Sequence, residues 1–248
     1  MLKFLKKIRW PITIFCLCSL ATMTVLFFNA HWMQIQAVQI ELSRDSDQDL
    51  LFQRIKTTLA QQYKPFEGRY FWQVPLKSVH ELTSKDKRVK SVSIFREFPS
   101  RLRIEIEPHT PMLAYLARDG RFYPVATDAT LLPALPVIDA ADMPILRGEE
   151  LNDEPSLREK ALELFESIPD EGVLRKSNVS EIVHTRKDGF KIFVSGADTE
   201  VRMGDTDFGP KLSRVQKVLT YLDSRNIKGR VIDARFSKKV VVRVRKAP

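Results

Sequence analysis

Between Ile12 and Phe28 the chain carries no charged residue, and the run is mostly apolar. It follows Lys3, Lys6, Lys7 and Arg9 and precedes more than 200 residues of ordinary globular composition. A helix rising ~1.5 Å per residue from Trp10 to Trp32 would cover roughly 33 Å, close to the ~30 Å hydrocarbon core of a bilayer. Basic residues stand on one side and no acid occurs among residues 1–32. The positive-inside rule then makes residues 1–10 a cytoplasmic tail and 11–31 a transmembrane helix, with everything after His31 exported. Trp10 and Trp32 fall where amphipathic rings prefer to lie, at the two interfaces. A cleaved signal peptide is the competing reading, but Phe28 in Phe28-Asn29-Ala30 is bulky where a cut needs a small residue.

Export limits the chemistry. Cys16 and Cys18 both lie inside the apolar run, so the exported part cannot form an internal disulfide and must be held by packing. His31, His80, His109 and His184 are too scattered for a metal motif. The glycines never fall in the order of a dinucleotide or phosphate loop, and no nucleophile elbow occurs. A carboxylate pair such as Asp139 with Asp142 could in principle cleave a glycosidic bond, but loop carboxylates mostly cap or solvate. The expectation is a protein that is not an enzyme, with no cofactor, metal or small-molecule substrate.

The net charge of +9 is unevenly spread. From Phe208 to Pro248 twelve Lys or Arg face only Asp223 and Asp233, whereas the middle of the chain is acidic. Such asymmetry points to an acidic partner, an anionic lipid surface or nucleic acid, and export removes nucleic acid. The alternative is a solvated basic face balanced internally by Glu149, Glu150, Asp153 and Glu154.

The elements follow from periodicity. Gln34 to Leu42 reads as a strand. Leu50, Leu51, Ile55 and Leu59 then recur at helical spacing behind a Ser46/Asp47 cap, and a second short helix runs from Pro75 to about Leu82. Val89, Val92 and Ile94, a turn at Phe98-Pro99, and Leu102, Ile104 and Ile106 alternating with charges make a hairpin with one buried face, ended by Pro108. Residues 33–107 thus form a β-α-α-β-β unit. Beyond Pro111, Met112 to Ala117 and Phe122 to Ala126 flank Asp119-Gly120, and Ser180 to Thr185 and Phe190 to Ser195 flank Asp188-Gly189. One helix starts after Pro155 and another spans about Pro210 to Leu222. Gly229 ends the following loop, and two strands close the chain, Arg230 to Phe236 and Val240 to Arg245. The fold class is α+β: a membrane helix, a β-α-α-β-β domain, and a mixed β domain with two helices over 108–248.

Three segments carry a resemblance. They are Val89-Lys-Ser-Val-Ser-Ile-Phe-Arg-Glu-Phe-Pro-Ser-Arg-Leu-Arg-Ile-Glu-Ile-Glu with Pro111 after it, Leu135-Pro-Val-Ile through Pro144-Ile-Leu-Arg-Gly148, and Val231-Ile-Asp-Ala-Arg-Phe236. The first pattern marks POTRA modules in general, and the later segments with the single anchor narrow it. Over nearly its whole length the chain resembles the FtsQ/DivIB family of bacterial cell-division proteins. The resemblance implies a POTRA domain over 33–107 beside the membrane and a family-type β domain over 108–248. It also implies a non-enzymatic scaffold in the inner membrane, periplasmic beyond its anchor, that links FtsB and FtsL with other septal proteins. The family's partner-facing arginines correspond to Arg186 and to Arg235, which is followed by Phe236. Val244 stands where a family aromatic is expected.

The final strand supports docking by its own pattern. Val240, Val242 and Val244 alternate with Val241, Arg243 and Arg245, and a last strand is often an edge that a partner can pair. The alternative is a central strand with Arg243 and Arg245 at its solvent end. A polypeptide-binding POTRA protein of envelope assembly and a cell-wall-binding or cell-wall-cleaving protein are the rival functions.

Overall fold

The computed structural model describes residues 13–25, 33–43, 50–135, 143–196, 199–227 and 230–244. The basic N-terminal residues, Trp10, Trp32, Ser46, Asp47, Asp139, Asp142, Gly229 and Arg245 therefore lie outside the described residues. Residues 13–25 form helix α1. Among the described residues no helix is long and apolar enough to cross a membrane, and part of the span expected over 11–31 lies outside them. The chain divides into two compact units, Met1–Pro108 and His109–Pro248.

In the first unit, β1 (Ala37–Leu42) is followed by helices α2 (Leu50–Tyr63) and α3 (Leu76–Ser84), then β2 (Val89–Glu97) and β3 (Arg101–Pro108). The sheet order is β1-β3-β2, with β1 parallel to β3 and β2 antiparallel to it. Strict alternation makes β3 the centre: Leu102, Ile104 and Ile106 are fully buried, each burial stabilising by roughly 1.5–3 kcal/mol. On its other face Arg103 pairs with Glu97 at 2.9 Å and with Glu105 at 3.1 Å. Ile55, Leu59 and Tyr63 of α2 and Val79 of α3 bring the helices' apolar stripes into the core. Pro75 is the cap of α3 rather than its first helical residue.

The second unit is built on one eight-stranded mixed sheet of order β11-β10-β9-β8-β7-β6-β4-β5. Its strands are β4 (Pro111–Leu116), β5 (Phe122–Ala126), β6 (Ile145–Arg147), β7 (Val179–Thr185), β8 (Gly189–Val194), β9 (Thr199–Gly204), β10 (Arg230–Asp233) and β11 (Val241–Val244). Helix α4 (Pro155–Glu166) connects the parallel pair β6 and β7, and α5 (Phe208–Ser224) connects the parallel pair β9 and β10. Both are the crossover that parallel neighbours require. Leu212, Val215, Leu219 and Leu222 of α5 and Ala161, Leu164 and Phe165 of α4 pack on Ile182, Phe190, Ile192, Val201 and Ile232 of the sheet. Buried Arg158 of α4 ties a loop to this core, donating from Nε to Ala129 O at 2.8 Å and from Nη1 to Leu151 O at 2.7 Å. Burial pulls its pKa down.

Two strands, β6 and β9, have no counterpart in the periodicity reading, and the closing strands are shorter than expected. β10 ends at Asp233, so Arg235 and Phe236 lie in a connection, and β11 begins at Val241, leaving Val240 just outside it. The cause is local. After Ala234 N donates to Arg202 O at 2.9 Å, Arg235 N turns back to Asp233 Oδ1 at 3.2 Å and the chain leaves the ladder.

Candidate docking edge

The two ends of the eight-stranded sheet differ. Beyond β5, bridges from Leu135 to Phe122 and from Leu131 to Val125 cover the outer side. Beyond β11 no further strand stands among the described residues. β11 pairs antiparallel with β10, setting Val241 opposite Asp233, Val242 opposite Ile232, Arg243 opposite Val231 and Val244 opposite Arg230. Val240 and Val242 are half-buried and pack on the core. Arg243 is exposed, and Val244 is 57% exposed. Val240 and Val242 therefore hold the strand to the body of the unit, while Arg243 is exposed and the outer backbone edge has no strand partner among the described residues.

The connection from β10 to β11 is fixed by charge. Arg235 forks onto Asp233, with Nε at 3.0 Å from Oδ1 and Nη2 at 2.8 Å from Oδ2, and its Nη1 reaches Asp188 Oδ1 at 2.8 Å. Asp188 also receives Lys191 Nζ at 2.7 Å. The hydrogen bond from Arg235 holds the Asp233 carboxyl below the usual carboxylate range, and that from Lys191 does the same for Asp188. The Arg235 guanidinium is raised by the same bond to Asp233. The β7–β8 turn is thereby bound to the β10–β11 connection. Gly189 makes this possible: at φ +69 it lies so close to β9 that an added Cβ would stand 2.7 Å from the Cα of Gly204.

Further along, Arg214 of α5 donates to Ser237 O at 2.6 Å, and Lys239 Nζ lies 5.1 Å over the Phe236 ring, which is 44% exposed. The structure thus sets Val240, Val242, Arg243 and Val244 in or beside the last strand, and Arg235 and Phe236 in the connection that leads to it. Arg186 sits in the β7–β8 turn, two residues from Asp188, and its Nε pairs with Glu150 at 2.9 Å. Arg235, which the resemblance makes partner-facing, has its fork occupied by Asp233 within the chain. Asp188, Lys191 and Asp233 escape the sequence reading, in which Asp188-Gly189 serves only as a turn signal.

A groove of about 680 Å³ lies beside β6 and β7, lined among others by Tyr115, Arg118, Arg147, Glu149, His184 and Phe193. Its cations are paired: Arg118 with Glu149 at 2.6 Å and Arg147 with Glu181 at 2.9 Å. Among the described residues no cluster of His, Cys, Asp or Glu could hold a metal ion.

Comparison with known proteins gives a consistent result. The model of the family described as Cell division protein FtsQ/DivIB, C-terminal, matches residues 114–235. A protein of Geobacter sp. (strain M21) named Cell division protein FtsQ is 28% identical over 183 residues, covering 71% of this chain and 66% of that protein. A Syntrophotalea carbinolica protein of the same name is 21% identical over 226 residues, covering 88% of this chain and 77% of its own length. A Solibacillus silvestris protein named Cell division protein DivIB is 26% identical over 157 residues, 63% of this chain and 53% of that protein. The likeness to the C-terminal domain of the FtsQ/DivIB cell-division proteins is thus carried by residues 114–235 of a chain of mixed α+β fold, which spans just under two thirds of the Geobacter relative's length. Arg186 and Arg235 fall inside the matched segment, and β11 lies beyond it.

Proposed function

We propose that this chain is a non-enzymatic scaffold of the division septum. Residues 1–10 are a cytoplasmic tail, 11–31 a single membrane span of the inner membrane, 33–107 a POTRA domain and 108–248 a β domain, the last two periplasmic. The β domain docks an FtsB/FtsL-type pair through the edge made by Arg186, Arg235, Phe236, Val240, Val242, Arg243 and Val244. The observation that carries this reading is that among the described residues no strand pairs with the outer side of β11, which is bordered by an exposed arginine and anchored by half-buried valines. A partner segment can add a strand there through main-chain hydrogen bonds, with alternate side chains reading its neighbours. Arg243 selects an acidic segment and discourages indiscriminate pairing. Arg235 acts one step back, holding the connection that presents Phe236 and β11. Other septal proteins are further partners of the same scaffold.

The test is binding of the organism's own FtsB–FtsL pair to the full chain in detergent, compared with Arg243→Glu. Truncating one member of a desolvated pair costs ~2–5 kcal/mol, so affinity is expected to fall at least tenfold. Binding equal to that of the parent by a folded variant refutes the edge as the docking site. For the anchor, a reporter active only outside the cytoplasm and fused after Pro248 is expected to be active. A mature chain lacking its first 30 residues would refute it.

A further inference from the structure

The end of the first unit where the chain enters is aromatic and basic. Three segments meet there through main-chain hydrogen bonds: Phe71 N to Met33 O at 2.9 Å, Ile35 N to Arg69 O at 2.9 Å, and Gln36 N to Ser100 O at 3.0 Å. The loop around residues 66–74 and the β2–β3 turn therefore flank the entering chain. On them Trp72 is 41% exposed and Phe98 is 68% exposed. Tyr70 stacks on Trp72 with ring centroids 5.1 Å apart, and Phe71 meets Phe98 edge-on at 6.4 Å. Arg96 lies 5.8 Å over the Phe71 ring and Arg69 5.8 Å over that of Phe66. Exposed Lys64 and Arg101 add to these cations against Glu67, while Glu97 is occupied by Arg103.

Exposed rings gathered in one place mark an interaction surface. Chain connectivity says which kind. Met33 follows Phe28, the last residue of the apolar run, by five residues, and an extended chain covers at most ~3.3–3.6 Å per residue, so Met33 stands no more than ~18 Å from the end of that run. Trp72, Tyr70 and Phe98 are held to Met33 and its neighbours by the bonds above. Tryptophan and tyrosine favour the headgroup level of a bilayer, and Lys and Arg beside them can reach lipid phosphates with their apolar stems buried. Anionic lipid adds attraction for the cations.

We propose that Tyr70, Trp72 and Phe98, flanked by Arg69, Arg96 and Arg101, seat the first unit on the outer surface of the membrane, with their rings among the lipid headgroups. The seat rests on the single-span reading above. It would fix the orientation of the unit against the bilayer, which a single covalent connection does not do by itself.

The test uses the full chain carrying Trp10→Phe and Trp32→Phe, which leaves Trp72 as its tryptophan. It is reconstituted into vesicles of phosphatidylethanolamine and phosphatidylglycerol, with and without bromine near the glycerol end of the acyl chains. The chain is expected to float with the vesicles, and Trp72 emission to be blue-shifted and quenched by the brominated lipid. Adding Arg69→Glu and Arg101→Glu is expected to weaken that quenching. A chain that floats while Trp72 stays solvent-like and unquenched overturns the seat alone and assigns the patch to a protein partner. A chain that does not float overturns the span and the seat together.

Discussion

Replacing Arg235 tests how the docking edge is held. In Arg235→Ala the two-pronged bond to Asp233 and the single bond to Asp188 are lost together. A hydrogen bond to a charged partner contributes about 1.5–3 kcal/mol when shielded and an exposed pair only ~0.2–1 kcal/mol. The Arg235 side chain is 34% exposed, so solvent screens part of the gain, whereas the Asp233 side chain is only 10% exposed and would be left without its cation. These opposing effects give an expected loss of about 2 kcal/mol. For a unit the size of His109–Pro248 that is a drop of about 6–8 °C in Tm, read by circular dichroism of the full chain in detergent. A double-mutant cycle separates the contacts: coupling to Asp233 of ~1–2 kcal/mol and to Asp188 of ~0.5–1 kcal/mol. Arg235→Lys recovers less than half of the loss, since one ammonium cannot satisfy both carboxylate oxygens in the plane. A Tm within about 1 °C of the parent for Arg235→Ala, with the fold intact, refutes the view that this arginine positions the connection.

Asp233 and Asp188 are both depressed in the folded chain, so their stabilisation is complete above the unfolded value of about 3.9 and is lost as pH falls through the lower folded values. The stability gap between the parent and Arg235→Ala is therefore expected to be constant from pH 7 to about 5 and to close below about 4, in thermal melts at each pH. Gly189→Ala adds a Cβ 2.7 Å from the Gly204 backbone at a positive φ and is expected to cost about 2–4 kcal/mol; unfolding in urea checks it, and a loss under 1 kcal/mol contradicts the close approach. Single prolines placed through β11 at residues 241–244 are expected to alternate in effect. Those whose N–H faces β10 lower stability, and those whose N–H faces outward lower partner binding alone. A uniform effect on both readouts would mean that the outer edge is not paired.

The first unit is legible in the sequence because its centre is a strand with one charged and one apolar face. Leu102, Ile104 and Ile106 alternate with Arg101, Arg103, Glu105 and Glu107, and a two-residue period of that strength admits no helical reading. The α5 stripe is legible for the same reason at a period of 3.6. β6 is not, since Ile145–Arg147 is too short to show any period and is held in place by pairing with β4 and β7. β9 does alternate, with Thr199, Val201 and Met203 inward and Glu200 and Arg202 outward, but Thr and Met carry a weak apolar signal and the charges mask it. Strand order has no local signature. Two of the parallel pairs, β6 with β7 and β9 with β10, arise from the crossovers through α4 and α5, and a third, β4 with β6, is joined by way of β5, so what reads as short hairpins interrupted by helices is one continuous sheet.

The edge was partly legible, and charge is where the sequence misleads. Counting cations after Phe208 treats all as available to a partner, yet pairing is a property of the fold. Lys211 is buried with its ammonium on Met203 O, Arg214 is spent on main-chain carbonyls, and Arg235 is shared by two aspartates. Arg243, exposed on the outermost strand, is the cation of β11 that remains in a position to meet an incoming strand. Three of the twelve cations, Lys211, Arg214 and Arg235, thus fix connections and a helix end rather than stand ready for a partner. A partner would gain affinity from backbone pairing along β11 and specificity from Arg243, and salt should weaken its on-rate less than the total charge of the region implies.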